Sequence, residues 1–308
     1  MSQEQSERIQ KFIKSGEIAK MVKSELPDIV KVGVSVLEIA EKIEELIANN
    51  GGVFAFPANI SINSVAAHFT PTDEDIKINE DDMVKVDFGV HIDGYPVDNA
   101  LTFYFGENDE YKSMVETAKD AVMRAISEFK VGVELSYIGE VIEDLVKERG
   151  FKVIRNLTGH MLNQYELHGE KEVPTFSGSK AIGKIEEGEV YAIEVFVTNG
   201  EGYAKSIDEV HIYSLLPELP KRLPIRVKAA RDILNFVRKE RKGLPFSVRW
   251  LRKHFDNATV KVGLSLLEQY GVLIPYPVLV ERGNGIVAQH EETVLVKKDE
   301  TIVLTQVK

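Results

Sequence analysis

The chain has no cysteine among its 308 residues. That excludes a disulfide framework, a thiolate metal site and a cysteine nucleophile. No apolar run approaches the roughly 18 residues a membrane span needs. The first eight residues are polar and lack the apolar segment of a secretory signal. A cytoplasmic chain with no membrane contact is expected. Excess positive charge is absent as well: 38 Lys and Arg stand against 49 Asp and Glu, a net charge of −11. That balance argues against general nucleic-acid affinity, though not against a local basic surface. What remains is a chain 44% hydrophobic and 28% charged, ample for a large core.

Hydrophobic spacing divides the chain. Residues 5–50 read as helices, with Ile9, Phe12, Ile13 and Ile18, then Val36, Ile39, Ile43 and Ile47, at helical intervals. Asn49, Asn50, Gly51 and Gly52 supply a C-cap. Residues 58–64 and 83–105 read as strands around a polar loop at Pro71–Asp75. Helices follow over 109–129 and 136–149, then a His-bearing loop after Val153–Leu157. Strands follow over Glu189–Thr198 and Ile286–Val296. The arrangement is α+β with antiparallel hairpins. The composition shifts after Ser214. Pro217, Pro220 and Pro224 mark an entry linker, and residues 221–254 carry twelve Lys and Arg against Asp232 and Glu240. The reading is one catalytic domain, 1–308, holding a helical, winged-helix-like insertion over 215–275 that Pro275, Tyr276 and Pro277 close.

Two aspartates carry the chemistry. Asp93-Gly94 is a strong hairpin signal. A turn there sets Ile92 opposite Tyr95, Gly89 opposite Asp98 and Asp87 opposite Ala100. Asp87 and Asp98 then share one face as diagonal neighbours, about 7–8 Å apart at the backbone. Like charges converge in that way only around something cationic. Glu194 lies in the apolar run Val190–Val197, and Glu291 in Ile286–Leu295, where burial is costly without a partner. Alone, Glu194 reads equally as a structural residue, at an edge or in an ion pair, and as a site residue. His160 follows a glycine at a strand end, while His68 and His168 sit in loops. Glu292, His91, His211 and His254 read as ordinary polar residues, and Asp93 as a turn residue. Four acids and one imidazole suit hard or borderline ions such as Mn, Fe, Co or Zn. Four carboxylates overcharge a single ion, and two ions about 3.5–4 Å apart fit better.

These segments resemble the methionine aminopeptidases of the pita-bread metallopeptidase fold, from residues 55–57 to residues 291–293. The resemblance implies metal ligands at Asp87, Asp98, His160, Glu194 and Glu291, and active-site histidines at His68 and His168. The long gap between Glu194 and Glu291, and Pro275-Tyr276-Pro277, look like the type II branch. The short N-terminal region looks like the archaeal form. Val195 and Glu292 depart from the family, which commonly has Pro and His there. Glu292 would add a negative charge beside the site.

What the resemblance implies is hydrolytic release of N-terminal methionine, with a small second residue preferred. Asp98 and Glu291 would bridge two divalent ions, Asp87 would serve one, and His160 and Glu194 the other. Glu194 would accept the proton, and His68 and His168 would hydrogen-bond the substrate and stabilise the tetrahedral intermediate. Phe56, Leu167 and Tyr276 would line the methionine pocket, where aromatic walls suit a thioether. Partners are N-terminal Met peptides and nascent chains. The ribosome is a candidate partner of the basic insertion, which reads more readily as a solvated helical face. A monomer is expected. Met1-Ser2 is itself a processable start. Two other readings are an X-Pro aminopeptidase or prolidase, and a non-catalytic relative that binds RNA or ribosomes.

Overall fold

The computed structural model describes residues 3–73, 76–219 and 223–307. Met1, Ser2, Glu74, Asp75 and Pro220 lie outside the described residues, and with them part of the expected polar loop and linker and the processable N-terminus.

Two helices open the chain, α1 (Gln3–Ile29) and α2 (Val36–Asn49). Ser35 caps α2 by accepting a hydrogen bond from Leu37 N–H, Ile39, Ile43 and Ile47 are buried, and Gly51 leaves the helix at φ +77°. Short strands β1 (Val53–Phe54), β2 (Asn59–Ile62) and β3 (Val65–Ala67) follow. Then comes the long hairpin β4 (Met83–Ile92) and β5 (Tyr95–Tyr104). Asp93 and Gly94 both have positive φ, as the tightest hairpin turn demands, and the register is Ile92↔Tyr95, Gly89↔Asp98 and Asp87↔Ala100. Helices α3 (Asp109–Glu128) and α4 (Leu135–Glu148) precede β6 (Lys152–Val153), β7 (Gly159–Met161), β8 (Glu172–Val173), β9 (Val190–Thr198) and β10 (Ala204–Leu215). His160 therefore sits on a short strand rather than in a loop.

Next come α5 (Lys228–Arg241), β11 (Phe246–Ser247), α6 (Val248–Arg252) and α7 (Asn257–Gln269). The chain ends in β12 (Leu273–Glu281), β13 (Val287–Val296) and β14 (Thr301–Val303). Pro275, Tyr276 and Pro277 thus lie inside a strand rather than closing the helical segment. β10 has no clear sequence signal, because its first half is polar and largely exposed.

The principal sheet runs β1-β4-β5-β13-β9-β7-β8. Its halves, the β4–β5 hairpin and the β9–β13 pair, meet at β5 and β13, where one residue pair, Ala100↔Glu291, is directly bridged. On either side of it a threonine hydroxyl spans the gap. Thr293 Oγ1 accepts from Asp98 N–H at 2.8 Å and donates to Asp98 C=O at 2.6 Å. Thr102 Oγ1 does the same for Gln289, at 2.8 and 2.7 Å. Helices α1 and α2 bury one apolar cluster against the first half, and α3 and α4 another against the second.

A second sheet, β11-β10-β12-β3, carries α5, α6 and α7, whose apolar residues include Ile233, Leu251 and Leu267. Two of the twelve basic residues of this region are buried anchors. Arg249 grips Glu44 through both terminal nitrogens at 2.9 and 2.6 Å, and Arg241 donates to the carbonyls of Phe54 and Ala55.

Candidate metal centre

Registry sets one row of side chains across five strands. Asn59 pairs with Asp87, Asp87 with Ala100, Ala100 with Glu291, and Glu291 with Glu194. Paired residues share a face, so all five point the same way. Ala100 is small and leaves the middle of the row open. Asp98 stands beside Ala100 along β5. His160 pairs with Ala192, two residues before Glu194, and so joins the same face. Ligand atoms of Asp98, His160 and Glu291 lie within 4.8 Å of one another, and His160 Nε2 is 3.8 Å from Asp98 Oδ2.

The residues fit a cation. Asp87 Oδ1, Asp98 Oδ1, His160 Nδ1 and Glu291 Oε1 are buried without a hydrogen-bond partner. Burial pushes the Asp87 carboxyl up to about 7. Burial, then the neighbouring acids, pushes Asp98, Glu194 and Glu291 well above the usual carboxylate range. Four such carboxylates ionise together only when positive charge sits among them.

The expected substrate residues line the same cavity, about 570 Å³ including its mouth. Phe56, Leu167 and Tyr276 form walls there, with His68 and His168. Phe56 lies so close to Gly89 that any Cβ at 89 would collide with its ring. His168 has its ring 4.5 Å from that of His160 and 6.2 Å from that of Tyr276. Its loop leans on the hairpin tip: Tyr165 N–H donates to Gly94 C=O at 2.6 Å, and the tyrosine ring fills the space a Cβ at Gly94 would take.

His68 holds φ at +65°, an uncommon state for a residue with a side chain. Its Nδ1 is 3.2 Å from Pro277 C=O, which only accepts, so Nδ1 carries the proton. Burial lowers the His68 pKa to about 4 and also lowers those of His160 and His168. At neutral pH His68 therefore offers Nε2 as an acceptor, not a donor.

Glu292 points to the other side of β13. Its Oε1 meets Lys23 Nζ at 2.9 Å, His290 Nε2 lies 3.3 Å away, and the Thr305 hydroxyl donates to its second oxygen. Against the burial that would raise it, these partners hold its pKa at about 2. The extra charge expected beside the site is matched by a lysine behind the sheet. Val195 likewise faces the apolar cluster under α3 and α4.

Sequence reasoning missed several residues on the site's face. Gln289 donates to Glu194 Oε2 at 3.5 Å, and the Thr293 hydroxyl holds the backbone of Asp98. The alternation Gln289, Glu291, Thr293 was a usable signal, since all three share one strand face. Asn59 carried no signal until the register was known.

The sequence model of metallopeptidase family M24 matches residues 10–298. The methionine aminopeptidase of Pyrococcus abyssi is 40% identical over 299 residues, covering 97% of this chain and 99% of that one. That of Archaeoglobus fulgidus is 43% identical over 298 residues, covering 96% and 98%. Among solved structures, a thermophilic Arx1 matches with TM-score 0.84 at 18% identity, covering 100% of this chain and 92% of that one. A methionine aminopeptidase from Thermotoga maritima matches with TM-score 0.71 at 19% identity, covering 98% and 97%. An X-Pro aminopeptidase from the same organism matches with TM-score 0.63 at 16% identity, covering 98% and 62%. At these identities the solved structures speak to the shared pita-bread fold alone.

Proposed function

The chain belongs to metallopeptidase family M24, and from that premise we infer that it is a metal-dependent hydrolase that removes N-terminal methionine from polypeptides. The observation that carries this is the row of carboxylates with unpartnered oxygens around Asp98, His160 and Glu291, opening on an aromatic cavity. Asp87, Asp98, His160, Glu194 and Glu291 would hold two divalent ions of the Mn, Fe, Co or Zn class. Asp98 and Glu291, facing one another across the sheet junction, would serve both ions. Asp87 would serve one, and His160 with Glu194 the other. When bound, the ions supply the charge that makes a water acidic near neutral pH and a nucleophile toward the scissile carbonyl.

The protein's own groups do the rest. Glu194 takes the water's proton on a carboxylate oxygen and passes it to the leaving amine. His68, with Nδ1–H committed to Pro277, accepts the N–H of the scissile peptide at Nε2. That departs from the oxyanion role expected of it, which falls to His168. Phe56, Leu167 and Tyr276 receive the methionine side chain, and the thioether meets aromatic faces. A small second residue is the preference that membership of this family suggests. Such substrates are nascent chains, and a cytoplasmic location would suit this reading. Arg238, Lys239, Arg252 and Lys253 stay exposed on the helical region and could touch ribosomal RNA, while Arg241 and Arg249 are used internally.

The test is hydrolysis of Met-Ala-Ser against Ala-Pro by protein stripped of metal and then reloaded with each ion, with elemental analysis alongside. Metal-dependent release of methionine is expected. Preference for Ala-Pro would favour an X-Pro peptidase, and no hydrolysis with any ion would sink the enzymatic reading.

A further inference from the structure

Seven buried side-chain atoms lack a hydrogen-bond partner among the described residues, and four of them belong to the metal centre. The others are Asn59 Oδ1, Ser61 Oγ and Asn99 Oδ1. Of these three residues only Asn59 lines the active cavity. It is 4% exposed and stands directly across from Asp87 at the end of the carboxylate row. Its amide orientation is fixed. Nδ2 lies 3.1 Å from Pro57 C=O, which accepts and cannot donate, so the NH2 faces Pro57 and the oxygen is left without a partner on a residue that lines the cavity. An acceptor left bare beside carboxylates needs a donor and gains nothing from another anion.

We propose that Asn59 Oδ1 is a recognition point for the free α-amine of the substrate and helps restrict cleavage to chain ends. This rests on the peptidase reading above and deepens it. An α-amine carries several N–H donors and remains in any peptide with an unblocked terminus. An interior peptide bond or an acylated terminus offers at that point at most one N–H and a carbonyl that Asn59 would repel. An amine directed toward Asn59 and Asp87 would fix the substrate's direction in the cavity. Asn59 would thus act by binding, and its removal would spare proton transfer at Glu194.

The experiment is calorimetric binding to the metal-loaded protein of two probes that differ only in the amine: L-methioninol and 4-(methylthio)butan-1-ol. The native protein should prefer methioninol. Asn59→Ala should cut that preference about tenfold, the worth of one net hydrogen bond. Affinity for the amine-free probe and metal content by elemental analysis should not change. Asn59→Leu, which keeps the volume, should show the same loss and serves where the alanine variant fails to fold. An unchanged preference, an equal weakening of both probes, or loss of metal in the folded variants would each overturn the proposal. If the native protein itself shows no preference for the amine, the peptidase reading falls with it, an outcome distinct from the other three.

Discussion

Lys23 on α1 and Glu292 on β13 form a buried ion pair directly behind the metal centre, at 6% and 2% exposure. Burial lowers the pKa of Lys23 even with Glu292 facing it, whereas the carboxyl is held at about 2. The two shifts point in opposite senses for the worth of the pair. The lysine's cost is the better guide, because Glu292 also draws on His290 and Thr305. The pair as a whole is then close to neutral, but half of it is not. Lys23→Met leaves a buried carboxylate without its cation, at a cost of about 3–5 kcal/mol. For 308 residues the unfolding entropy is on the order of 0.6 kcal/mol per degree, so Tm should fall by about 5–8 °C. Glu292→Leu should cost a similar amount by stranding the ammonium. The double variant should lie within about 1–2 kcal/mol of the native protein, so that the coupling energy cancels most of the sum of the two single losses. Thermal and urea unfolding of all four proteins in one buffer measures this, and the double variant should keep its metal. If the two single losses simply add, or if Lys23→Met is silent, the reasoning about this pair is wrong.

Other outcomes can be checked in parallel. Asp98→Asn should empty the whole metal centre while Asp87→Asn retains one ion, and equal ion counts in the two purified variants would refute that division. Thr293→Val strips the hydroxyl that pairs both backbone groups of Asp98, so metal affinity should drop about 10–100-fold, with Thr293→Ser restoring it. Glu281 accepts four backbone N–H bonds, from Glu201, Gly202, Gly283 and Gly285, which hold its carboxyl below the usual range against the burial that would raise it. A depressed folded pKa adds stability above the unfolded value near 4.3 and loses it as pH falls toward the folded one. Glu281→Gln should therefore cost about 3 kcal/mol at pH 7 and flatten the acid limb of a stability–pH curve, and an acid limb as steep as the native one would contradict it.

Much of the site was legible because it is built on a hairpin whose turn specifies its register. Asp93-Gly94 fixed the pairing of β4 and β5 and hence the common face of Asp87 and Asp98. Glu194 and Glu291 stood out as charge in apolar strands, which burial permits only with compensation, but the joint pattern and the family resemblance were needed to assign them to the site. What stayed hidden depends on contacts distant in sequence. The Lys23–Glu292 pair spans 269 positions, and nothing local to Glu292 tells which face of β13 will meet α1. β10 was invisible because its polar first half pairs with β12 through irregular register rather than by alternation. The contact that sets the tautomer of His68 waits on Pro277, 209 positions away, and the place of Asn59 in the row waits on its pairing with Asp87.

The junction of β5 and β13 has a mechanical consequence. With one bridged pair and two threonine hydroxyls joining the halves, it is the thinnest line in the principal sheet. On the two-ion reading, metal held by Asp87 and Asp98 from one half and by His160, Glu194 and Glu291 from the other would be a rivet across that line. Without it the halves should breathe apart, and amide hydrogens of Asp98 and Gln289 should exchange with solvent well before those inside either hairpin. The ion that drives hydrolysis would then also be the fastener that makes two half-sheets behave as one.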